Sequence, residues 1–213
     1  MSPGQKSRHP NLPEEILREI LYYNLYLPFK TFASVAFSAR RNGQMTLFET
    51  MSKTQRSRGK LVATSPVNFL LVCKQWLRIS TPLLYEGIVI TESRQLVALA
   101  DALRQTPQLG RHIRRLNVLG GYGKEFLDVI THSPNLHTLG LTMDINSSAS
   151  MKGLVAALPQ ANPKCFILST IYYPQNKNVS LAQDTLELAI PQWTSLVRRP
   201  IIIERSERFT TLL

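Results

Sequence analysis

The chain has 213 residues, 44% of them hydrophobic and 8% aromatic, with a formal net charge of +11. That is enough apolar material for one large or two small globular units with a packed core. No apolar run reaches the roughly 20 residues of a membrane span. Met1 to Pro10 is polar and basic where a signal sequence would be apolar, so cytoplasm or nucleus is the expected location. The two cysteines, Cys73 and Cys165, lie far apart in apolar stretches and make neither a disulfide framework nor a metal site.

The positive charge is concentrated towards the N-terminus: residues 1–66 hold ten Lys/Arg against four Asp/Glu. Its densest part, RRNGQMTLFETMSKTQRSRGK from Arg40 to Lys60, has no hydrophobic period and reads as a solvated linker.

The first predicted element is NLPEEILREILYYNL. Leu12, Ile16, Leu17, Ile20 and Leu21 share a helical face, while Glu14, Glu15, Arg18 and Glu19 point away. Pro13 suits a first helical position, and the two glutamates favour the positive end of the helix dipole. Residues 28–64 then lose the pattern, apart from a short apolar stretch at Thr31 to Ala39, and read as an insertion.

A second helix is expected from Pro66, with Ser65 as its cap and Val67 to Ile79 as its body, and a third, short one from Thr81-Pro82 through Tyr85. Together the two segments make about 40 residues, a size that rarely stabilises itself without a partner. Residues 66–79 are also apolar beyond what one buried face requires. Something else must cover the surplus.

From GIVIT, residues 87–91, the pattern becomes repetitive. Ile113, Leu116 and Val118 follow the spacing L-x-x-L-x-L, as do Leu136, Leu139 and Leu141 and, more loosely, Pro163, Phe166 and Leu168. Helices are expected between them at Ser93–Arg104, Lys124–His132 and Ala149–Leu158, each followed by a proline-containing turn. SLAQDTLELAIPQW supplies material for one more. A strand and a helix per unit is the grammar of leucine-rich repeats, with the strands lining one face. No polar cap is evident in residues 196–213, which read as a divergent or truncated tail.

LPEEILREIL followed by LLVCKQWLRISTPLLY resembles an F-box of the expanded fungal type, the module by which substrate receptors dock onto the Skp adaptor of Skp/cullin/F-box ubiquitin ligases. The resemblance covers about 39 residues. It implies an α/β chain: a disordered stretch 1–10, a three-helix F-box-like module at 11–86 containing the 28–64 insertion, a short irregular leucine-rich-repeat-like solenoid at 87–195, and the tail. It implies adaptor contacts from Leu12, Pro13, Ile16, Leu71, Val72, Cys73 and Lys74, with Ile20, Leu70 and Trp76 holding the helices together. Arg115, Asn117, His137 and Thr142 on the strands become candidates for reading a protein substrate. The implied partners are the Skp adaptor and cullin ligase, with no membrane and no cofactor.

Other chemistry finds little footing. GGYGK at Gly120 to Lys124 lacks the Ser/Thr and first glycine of a phosphate loop, and reads as a strand-to-helix turn. His9, His112, His132 and His137 show no i, i+4 pair, so no metal-ligand set forms. No nucleophile elbow or carboxylate pair emerges, so a non-catalytic protein is expected. NSS at Asn146 and NVS at Asn178 match glycosylation acceptors, which the expected location would leave unused. The competing expectation is a basic nucleic-acid-associated protein or scaffold using residues 40–60.

Overall fold

The computed structural model describes residues 12–33, 66–170, 176–197 and 201–204. The expectations placed on residues 1–10, on most of the insertion including its basic run, and on the end of the tail lie outside these residues.

Helix α1 spans Glu14–Leu25. Pro13 is its N-cap rather than its first residue, and its carbonyl accepts the first helical hydrogen bond from Leu17. Leu17, Leu21 and Leu25, four residues apart, are its buried stripe. Residues 66–71 form a 3-10 helix, the chain extends at Cys73, and α2 runs Lys74–Glu86.

The expected single helix over 67–79 is therefore broken. Phe69, Leu70, Leu71 and Val72 are consecutive rather than spaced for one helical face. The break lets Phe69 stack on Trp76, ring centroids 6.0 Å apart, while Leu71 and Val72 point outward. The expected third helix, by contrast, is continuous with α2. Pro82 removes one main-chain donor inside it. Thr81 donates its hydroxyl to the Leu77 carbonyl, and Leu83 and Leu84 pack against the module core of Leu17, Leu21, Leu25 and Ile79, holding both halves in line.

α2 runs straight into strand β1, Gly87–Ile90. Thereafter come α3 (Ser93–Gln105), β2 (Arg115–Val118), α4 (Lys124–Thr131), β3 (Thr138–Thr142), α5 (Lys152–Ala157), β4 (Cys165–Thr170), α6 (Lys177–Ala189) and β5 (Ile201–Glu204). The expected helix at 149–158 is shorter than the sequence suggested, with a 3-10 turn at Leu158–Gln160. β5 lies within the stretch read as a tail.

All five strands are parallel and ordered β1-β2-β3-β4-β5. Leu116 pairs with Leu139 and Leu139 with Phe166, the residues aligned by the sequence spacing. Helices α3 to α6 pack on one another in succession, so they form one layer against one face of the sheet. Ile90, Leu116, Val118, Leu139, Leu141, Phe166 and Leu168 fill the space between.

Buried polar groups tie successive units together. The Tyr122 hydroxyl accepts from the Thr142 N–H at 2.8 Å, and the Thr142 and Val118 carbonyls lie within hydrogen-bond reach of it. Asn178 donates to the carbonyls of Asn146, Ser147 and Ala149, and Trp193 donates its indole N–H to the Leu158 carbonyl. These bonds satisfy main-chain groups that the turns would leave buried and unpaired.

Candidate docking surfaces

The helical module has an inner and an outer apolar side. On α1, Ile16, Ile20 and Tyr23 follow a second stripe beside the buried one, and all three are exposed. Leu12 precedes them, also exposed, and the 3-10 turn contributes Leu71 and Val72 with 77% and 58% of their surface accessible. Leu77 on α2 is exposed as well. Glu14 and Arg78 join α1 to α2 through an ion pair on the surface, which adds little stability there.

Every residue expected to face a partner, Leu12, Pro13, Ile16, Leu71, Val72, Cys73 and Lys74, is on the exposed side. The three expected to hold the module together divide. Trp76 is half-buried against the module core, and Leu70 is half-buried. Ile20 is 43% accessible and belongs to the outer stripe, because α1 turns Leu17, Leu21 and Leu25 inward instead.

The second surface is the face of the sheet away from the helices. The register places Gly87, Arg115, Thr138 and Cys165 in one row across it, and Val89, Asn117, Gly140 and Ile167 in the next. Arg115, Asn117 and Thr142 were expected to be an open reading surface. They are buried. Residues 26–33 cross this face, with 29–33 in helical conformation. Leu27, Phe32 and Ala33 pack on Val89, Cys165 and Ile167. Phe32 and Ala33 are therefore buried against the sheet, although the sequence placed them in the insertion, while Pro28 and Lys30 stay exposed.

Arg115 is the hub of this contact. Its guanidinium donates to the Leu27 carbonyl at 2.5 Å, lies 4.7 Å from the Tyr26 ring centroid and 5.4 Å from that of Phe32, and has the Glu86 carboxylate 4.0 Å away. A buried guanidinium needs such partners to offset its desolvation. Tyr22 stacks on Tyr26 in turn, and burial first, then the Tyr26 hydroxyl, pushes the Tyr22 phenol pKa above its ordinary value. Asn117 donates its amide to the Phe32 carbonyl at 3.1 Å, while its Oδ1, buried, has no donor among the described residues.

His137 alone of the four strand candidates is half-buried. It stands just before β3, as Arg114 and Lys164 stand before β2 and β4. Burial lowers its pKa, and the two cations lower it further.

A cleft of about 400 Å³ opens at the carboxyl ends of β1 to β3, lined by Thr91, Glu92, Gly121, Glu125, Asp144 and Asn146 among others. Gly120 to Gly123, the first four residues of GGYGK, form one wall. Gly120 and Gly121 have φ of 145° and 81°, and a Cβ on Gly121 would sit 2.9 Å from the Ser93 hydroxyl, so this turn requires glycine for conformation and for space. The lining holds carboxylates and neither lysine nor arginine, a poor environment for phosphate. Among the described residues no group of three or more His, Cys, Asp or Glu is arranged to hold a metal, and no helix is long and apolar enough to cross a membrane.

Comparison with family models, with curated proteins and with solved structures returned no match.

The strand candidates were missed as buried because their partner is remote in sequence. The signal available was the alternation Arg115-Leu116-Asn117-Val118, two polar side chains on a strand whose neighbours place Gly87 and Gly140 beside them.

Proposed function

We propose that this protein is a non-catalytic substrate receptor of a Skp/cullin/F-box ubiquitin ligase, with α1, the 66–71 turn and α2 as an F-box-like module and the β-α units as a leucine-rich-repeat-like solenoid for targets. The single observation that supports this reading best is the outer apolar side of the module. Leu12, Ile16, Ile20, Leu71 and Val72 stay exposed although the same two segments already have a closed core of Leu17, Leu21, Leu25 and Ile79. Large aliphatic side chains left open on paired helical elements are typical anchors for a partner's groove. The motif resemblance names the partner, the Skp adaptor, and Lys74 at the start of α2 adds a polar rim.

Co-purification tests it. The full chain, co-expressed with a recombinant Skp adaptor, is expected to retain it on an affinity resin, whereas Ile16→Asp/Val72→Asp loses it while keeping a native circular dichroism spectrum, since both side chains are exposed. Failure of the unaltered chain to retain the adaptor would overturn the reading.

A further inference from the structure

We propose that the sheet face opposite the helices is a peptide-recognition face, and that residues 26–33 are its resident intramolecular ligand, displaced when a target peptide of the same chemistry binds. This rests on the receptor reading and specifies its substrate class: a segment with an aliphatic and an aromatic residue about five positions apart, spaced as Leu27 and Phe32 are.

The face reads main chain and aromatic surface. Among the described residues, Arg115 donates to the Leu27 carbonyl and Asn117 to the Phe32 carbonyl. The guanidinium lies against two rings, Tyr26 and Phe32. Apolar contact comes from Val89, Cys165 and Ile167. None of these depends on a side-chain functional group unique to residues 26–33, so a second peptide with matching ring and carbonyl positions fits the same seats.

The face is also built for its two polar side chains. A Cβ on Gly87 would fall 3.1 Å from the Arg115 guanidinium, and one on Gly140 would fall 2.7 Å from Asn117 Oδ1. The glycines at these register positions give both side chains room to lie along the sheet.

The resident segment leaves the face incompletely satisfied. Asn117 is a donor and an acceptor, and among the described residues only its donor is used. An attached segment competes at an effective concentration on the order of millimolar, so a target with merely equal contacts displaces it poorly. A target that brings an N–H to Oδ1 gains roughly one to two orders of magnitude, which is enough to compete.

The test uses the full chain carrying Cys73→Ser, so that Cys165, buried beside Leu27 and Phe32, is the one remaining cysteine. The probe is a fluorescent synthetic peptide of residues 26–33, YLPFKTFA. It is expected to bind the variant Leu27→Asp/Phe32→Asp at least about tenfold more tightly than the unaltered segment allows, because the resident competitor is removed. Adding Arg115→Ala should abolish that binding. Maleimide should modify Cys165 faster in the segment variant, and peptide should slow it again.

Absence of peptide binding by a variant that keeps its native circular dichroism spectrum overturns the proposal. Should the variant unfold, the Cys73→Ser chain alone decides. Modification of Cys165 with a weaker urea dependence than global unfolding reports local release of the segment and supports the proposal; an identical dependence means the segment leaves only on global unfolding and overturns it. No adaptor is present in any arm, so failure here is separate from failure of adaptor docking.

Discussion

Asn117 and Phe32 are 85 residues apart in sequence, and the Asn117 amide donates to the Phe32 carbonyl at 3.1 Å on the face of the sheet away from the helices. That bond fastens the end of the α1 segment onto β2. A segment that is released locally contributes to global stability only up to its own opening free energy. Phe32→Ala should therefore lower the urea-derived unfolding free energy by less than the ~3–5 kcal/mol usual for a fully buried phenylalanine. Leu139→Ala, between sheet and helices, should cost the full ~2–5 kcal/mol. Comparable full losses at both positions would mean that the segment is inseparable from the core.

Gly140 lies beside Asn117 in the pairing of β2 with β3. A methyl group there would sit 2.7 Å from Asn117 Oδ1 and 2.8 Å from its Cγ. Gly140→Ala is expected to destabilise by about 1–3 kcal/mol through this overlap. Combining it with Asn117→Ala should recover part of the loss, because the second change removes the obstructing atoms. Strict additivity in the urea series would contradict the contact.

Tyr122 joins the turn after β2 to β3. Tyr122→Phe leaves the buried Thr142 N–H without the hydroxyl it donates to at 2.8 Å. A loss of about 1–3 kcal/mol is expected, with the ring packing against Phe126 retained. Unchanged thermal and urea midpoints would show that Thr142 finds another acceptor.

How much of this was legible in the sequence varies by element. Leu116, Leu139 and Phe166 fall at matching points of a spacing that becomes the strand register, because each parallel unit repeats one strand and one helix. The helix boundaries at Ser93 and Lys124 were likewise readable, since apolar periodicity begins there. Phe69 to Val72 was not, because a consecutive apolar run fits a helix or a break equally well until a partner such as Trp76 is placed. Nor was the burial of Arg115 and Asn117, which depends on residues 26–33 returning across the sheet. Outward Leu71 and Val72 were legible as part of an apolar excess over residues 66–79, whereas the split of α1 into a buried Leu17-Leu21 stripe and an exposed Leu12-Ile16-Ile20 side was not, since the spacing puts all five on one face.

His137 gives a pH dependence. Burial, then Lys164 and Arg114, lowers its pKa in the folded chain below the ordinary value of 6.5. Between the two values the unfolded chain binds a proton that the folded chain does not, so acidification favours unfolding. The contribution is intact above about pH 6.5 and declines as pH falls through that value. Urea midpoints measured from pH 7.5 to 5.5 should fall more for the natural chain than for His137→Gln. Parallel curves would contradict it.

The central claim is that the exposed side of α1 and the 66–73 segment is completed by the Skp adaptor, and calorimetric titration at several temperatures and salt concentrations measures it directly. The account predicts saturable binding with a negative heat-capacity change and little loss at raised salt, weakened at least about tenfold by Ile16→Asp/Val72→Asp. An absence of binding heat, or association that vanishes as salt is raised and ignores the double substitution, would contradict it.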